Sequence, residues 1–83
     1  MDSIYERVTE LILLNAPEEP QMPLEEDTRL LEDLGYDSIA MMSLLVDVEE
    51  EYDFETEDME ESLKAFETVK SFVEFVRTNQ GKL

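Results

Sequence analysis

The 83-residue sequence predicts an all-α fold: a small four-helix bundle with a long first loop and a short third helix. Apolar residues recur at helical spacing in separate segments, and no run alternates with the period of a strand. The two glycines and three prolines all fall between or after those segments. The length suits one small domain, near the lower limit of what a single core stabilises unaided, so residues 1–83 are expected to form one unit.

The first helix is expected over about residues 3–14, opened by Ser3 and Glu6 as an S-x-x-E capping box, with Ile4, Val8, Leu11 and Ile12 as its core face. Asn15 to Tyr36 then carries Pro17, Pro20 and Pro23 and is long for a connection in so small a domain. Its own apolar residues must pin it. Leu24, Leu30, Leu31 and Leu34 are the candidates, with Asp27-Thr28 placed to cap a short turn before the last three.

The second helix is expected over residues 38–52, an unbroken stretch of helix-compatible residues. At roughly 100° per residue, Met41, Leu44, Leu45, Val48 and Tyr52 share one stripe, the core face. Ile39, Met42 and Val46 form another apolar row, about 150° round the cylinder, bordered by Glu49 and Glu50. Either the long loop covers this row as core, or it is an exposed strip with an acidic edge that receives partners. A short third helix is expected over residues 57–65, capped by Thr56, with Met59, Leu63 and Phe66 turned inward. Thr68 caps a fourth, over residues 68–79, in which Val69, Phe72, Val73 and Val76 keep the i, i+3, i+4, i+7 pattern and after which Gly81 marks the stop.

Composition excludes several functions. The chain has 23 acidic and 6 basic residues, a formal net charge of −17, so nucleic acid and anionic membranes are repelled and basic partners favoured. Without cysteine or histidine there is no disulfide framework, no thiolate nucleophile and no zinc site of the usual kind. No nucleophile and base pair can be assembled, so no catalytic residue is assigned and no enzyme is expected. The acidic run Asp47 to Glu61 lacks the glycine of an EF-hand loop, so no metal site is expected either. With Asp2 and Glu6 near the start and no long apolar run, neither a signal peptide nor a membrane span is expected; a cytoplasmic monomer is.

The densest signal is Leu34-Gly35-Tyr36-Asp37-Ser38-Ile39. Gly35 permits a tight bend, Asp37 is placed to accept from the orphan amides of a helix start, and Ser38 then sits where amides and dipole favour negative charge. A phosphate hung on the hydroxyl suits that position. So does an ordinary helix-start serine, and the hexamer alone does not separate the two.

The segment Asp27 to Ile39, containing L-G-x-D-S-I, followed by an acidic amphipathic helix and then Thr68-Val69, resembles the acyl carrier proteins over essentially the whole chain. The resemblance implies a bundle of acyl carrier protein type in which Ser38 is esterified with 4'-phosphopantetheine from coenzyme A, with Asp37 beside it. It also implies that the second helix docks partners through Ile39, Met42, Val46, Glu49 and Glu50. The implied partners are a phosphopantetheinyl transferase and acyl-loading and acyl-processing enzymes with basic patches. The implied function is to carry acyl groups as thioesters in fatty acid, polyketide or related biosynthesis. An aminoacyl or peptidyl carrier, or an unmodified acidic adaptor with the same fold, are the alternatives. A chain that lacks cysteine and histidine suits thioester cargo, since nothing of its own attacks it. Two departures point to a dedicated rather than a housekeeping carrier. Ala40 and Ser43 stand where carriers of primary fatty acid synthesis are often acidic, and Asp53 to Asp58 replaces a Gly-Ile-x-Ile-Pro-like passage.

Overall fold

The computed structural model describes residues 3–19 and 23–81, which form five helices: α1 (Ser3–Asn15), α2 (Leu30–Leu34), α3 (Ser38–Tyr52), α4 (Met59–Ala65) and α5 (Val69–Asn79). Among the described residues there is no strand, only one antiparallel bridge between Arg29 and Thr68. The core forms where α1 packs on α3 and α5 and where α4 packs on α5. Val8, Leu11 and Ile12 of α1 meet Leu44, Leu45 and Val48 of α3 and the apolar face of α5 there, with Ile4, Met41 and Tyr52 partly buried at its margin.

α3 and α5 follow the expected pattern. Thr68 Oγ1 accepts from Ser71 N at 3.1 Å while Thr68 N donates to Ser71 Oγ at 2.9 Å, a reciprocal capping box. Gly81, at φ 76°, donates its N–H to Tyr52 O at 2.8 Å and so ties the turn after α5 to the end of α3. Ser3 is already the first helical residue of α1 rather than its cap, so the capping position falls outside the described residues.

The extra helix lies in the long loop. α2 is a fifth element where only a capped turn was expected, and its start is held from within: Asp33 Oδ2 accepts from Arg29 N at 2.8 Å. Thr28 instead closes the preceding turn, its Oγ1 accepting from Glu25 N at 2.9 Å. Leu30 and Leu34 are fully buried and Leu24 packs on the core, whereas Leu31 points outward, because a single helical turn cannot bury three consecutive faces. The loop also serves α5. The carbonyls of Glu26 and Thr28 accept from Lys70 N and Val69 N, both at 2.9 Å, satisfying amides that a helix start leaves orphaned. Pro20 lies outside the described residues.

α4 departs most. It begins at Met59, not at residue 57, and its cap is Asp58, whose Oδ1 accepts from Glu60 N at 2.9 Å and Glu61 N at 3.3 Å. A carboxylate placed at a helix N-terminus is favoured by charge as well as by hydrogen bonding. Thr56, expected as the cap, is held further back by α3: its N–H donates to Glu49 Oε2 at 2.6 Å, and its buried Oγ1 has no partner among the described residues. The inward face is Ser62, Ala65 and Phe66, an i, i+3, i+4 set, and Leu63 is exposed instead of buried. The Met59 side chain lies outside what the structure describes. Phe54, in the α3–α4 connection, is buried and meets Phe75 edge to face with centroids 5.8 Å apart.

Candidate functional site

The turn between α2 and α3 is built to present Ser38. Gly35 ends α2 at φ 70°, donating its N–H to Leu30 O, which also accepts from Tyr36 N at 3.1 Å. Any Cβ at Gly35 would meet the left-handed penalty and, 2.5 Å away, the Glu18 carboxylate. Tyr36 is then driven inward. Its ring is buried, and its hydroxyl donates to Ile12 O, in the last turn of α1, at 2.5 Å. Burial first, and the nearby Asp47 charge second, push this phenol well above its usual range.

With Tyr36 anchored, Asp37 emerges in extended conformation as the N-cap of α3, its Oδ1 accepting from Ala40 N at 2.8 Å. Ser38 is the first helical residue, exposed, and its hydroxyl makes no hydrogen bond with any described residue. The residues therefore fit an esterified phosphate. The hydroxyl is accessible, modifying it breaks no internal bond, and the start of a 15-residue helix favours the resulting anion.

The row expected beside it is exposed rather than covered by the loop: Ile39 is 79% accessible, Met42 52% and Val46 45%. Ala40 is buried on the opposite flank, so the first of the two departure positions belongs to the core, and Ser43 is the exposed one. The acidic border is less uniform than the sequence implies. Glu50 is exposed and makes no bond to a described residue, whereas the half-buried Glu49 points its carboxylate back to Thr56 N. Sequence reasoning missed Tyr36. Its signal was only an aromatic residue placed two before Ser38, with nothing to name Ile12 as its partner.

Among the described residues no group of three or more acidic side chains is arranged to hold a metal, and no helix is long and apolar enough to cross a membrane.

Against known proteins, the family model for the phosphopantetheine attachment site matches residues 6–76. An acyl carrier protein of Wolinella succinogenes is 34% identical over 79 residues, 95% of this chain and 95% of its own length.

Proposed function

This chain belongs to the acyl carrier protein family, a family of carriers rather than enzymes that bear 4'-phosphopantetheine, and we propose that Ser38 is where it bears the group. The observation that supports this reading is the free, exposed hydroxyl of Ser38 at the first position of α3, directly after the Asp37 cap. When attached, the group supplies a terminal thiol that holds acyl cargo as a thioester. The chain's own part is positional. Asp37 fixes the first turn of α3, Tyr36 locks the preceding turn to α1, and the first-turn amides stabilise the phosphodiester charge.

Members of this family interact with a phosphopantetheinyl transferase and with acyl-processing enzymes. On this chain the face that meets them is the exposed row Ile39, Met42 and Val46, with acid at its far end. We read the protein as a dedicated carrier of acyl groups in fatty acid, polyketide or related synthesis. The neutral, exposed Ser43 and the Asp53 to Asp58 passage support that reading.

Incubation of the purified protein with coenzyme A and a phosphopantetheinyl transferase is expected to add one phosphopantetheine mass, and Ser38→Ala is expected to add none. Wild-type protein left unmodified by several transferases would favour the unmodified adaptor, and modification of Ser38→Ala would place the site elsewhere.

A further inference from the structure

The chain has no cysteine, so its five methionines carry the only sulfur of its own. Two of them, Met41 and Met42, are neighbours on α3, and the fold treats them differently. Met41 packs partly buried against the core, whereas Met42 is 52% accessible. Its place on the helix is also particular. Met42 follows Ser38 by four residues, so it lies about 6 Å along the axis and about 40° round from it. Ile39 and Val46 flank it within about 60°, both exposed and both hydrocarbon side chains that peroxide leaves alone. From Ser38 to Val46 the helix has no charged residue. The Met42 thioether is therefore the one readily oxidised group on the outward face of that stretch, and it sits in the middle of the exposed apolar row.

Resting on the proposed role of Ser38, we propose that Met42 is a reversible oxidation site, at which hydrogen peroxide converts the thioether to a sulfoxide and thereby weakens the loading of Ser38. The sulfur lone pair attacks one peroxide oxygen, and an S–O bond forms as the O–O bond breaks. The departing oxygen takes the proton of the transferred one and leaves as water, so sulfur loses two electrons and peroxide gains two. The reverse step consumes a dithiol, which closes to a disulfide while the sulfoxide oxygen leaves as water. The consequence follows from solvation. A thioether gains by leaving water, whereas a sulfoxide is a polar acceptor that must give up its water when an enzyme covers it. One added oxygen atom thus turns the centre of the row from apolar to polar without changing the charge of the chain.

The test treats the full chain, before any loading, with hydrogen peroxide, removes the excess with catalase, and then follows steady-state modification by a purified phosphopantetheinyl transferase with coenzyme A. Tandem mass spectrometry of early samples is expected to place oxygen on Met42 before Met41. Oxidised carrier is expected to show a KM about fivefold higher with kcat little changed. Methionine sulfoxide reductases A and B with dithiothreitol are expected to restore it. Met42→Leu keeps the row apolar and is expected to hold KM within about twofold of untreated wild type, before and after peroxide. Oxidation at Met1, Met22 and Met59 is common to both proteins and cancels in that comparison. Circular dichroism melts check that each form is folded. Oxygen on Met41 first, an unchanged KM for carrier oxidised at Met42, or an equal peroxide effect on Met42→Leu overturns the proposal and leaves the role of Ser38 standing. Untreated wild type that takes up no phosphopantetheine at Ser38 overturns both.

Discussion

Replacing Tyr36 with phenylalanine removes one hydroxyl and tests the joint that holds the Ser38 turn against α1. The Tyr36 hydroxyl donates to Ile12 O at 2.5 Å in a buried setting, and Ile12 lies in the last turn of α1, where carbonyls lack intrahelical partners. Tyr36→Phe keeps the ring and strands the carbonyl, so a loss of about 1–2 kcal/mol is expected at neutral pH. The pH dependence adds an independent prediction. Burial and Asp47 hold the folded phenol above the value of about 10 that it has in the unfolded chain. The folded state therefore keeps a proton that the unfolded state has lost. This contribution is fully present below about pH 10 and declines as pH rises toward the folded value, at no more than about 1.4 kcal/mol per pH unit. Between pH 9 and pH 11 the wild type thus loses about 1.4 kcal/mol that the variant does not. Tyr5 and Tyr52 are present in both proteins and cancel in the difference. Urea unfolding followed by far-UV circular dichroism at pH 7, 9 and 11 reads it directly. The gap between the proteins should be open at pH 7 and pH 9 and nearly closed at pH 11. A gap that stays constant with pH, or equal stabilities at pH 7, refutes the buried hydrogen bond.

Two further substitutions probe the α3–α4 connection. Thr56 Oγ1 is buried without a partner among the described residues, so the isosteric Thr56→Val, which retains the N–H to Glu49, is expected to raise stability by up to about 1 kcal/mol; a loss of that size in urea unfolding would mean that the hydroxyl is satisfied. Asp53 ends α3 with φ at 54° and places a negative charge at the negative end of the helix dipole. Asp53→Gly relieves both and is expected to gain about 0.5–1 kcal/mol in the same assay.

What the sequence made legible is what neighbours in sequence decide. The start of α3 needs only Asp37 reaching Ala40, three residues away, and the cap of α5 needs only Thr68 and Ser71. Helical periodicity separated Leu44 and Val48 from Ile39 and Met42 because a cylinder can bury one side against a small core. The motif around Ser38 is local in the same way, so the proposed attachment site could be read before any fold was known. What stayed hidden depends on partners far along the chain. α2 is stabilised where its loop bridges to Thr68, and α4 starts late because Glu49 holds Thr56 back. The same distances decide which acids of α3 are bonded within the fold. Asp47 is 32 residues from Asn15 and Glu51 is 44 from Arg7, so no local pattern distinguishes them from Glu50. An acidic helix read from sequence alone looks uniformly available to a basic surface. Once the folded partners of its side chains are subtracted, Glu50 is the one carboxylate of α3 that is exposed and makes no bond to a described residue, a distinction that only the packing of α1 and of the α3–α4 connection creates.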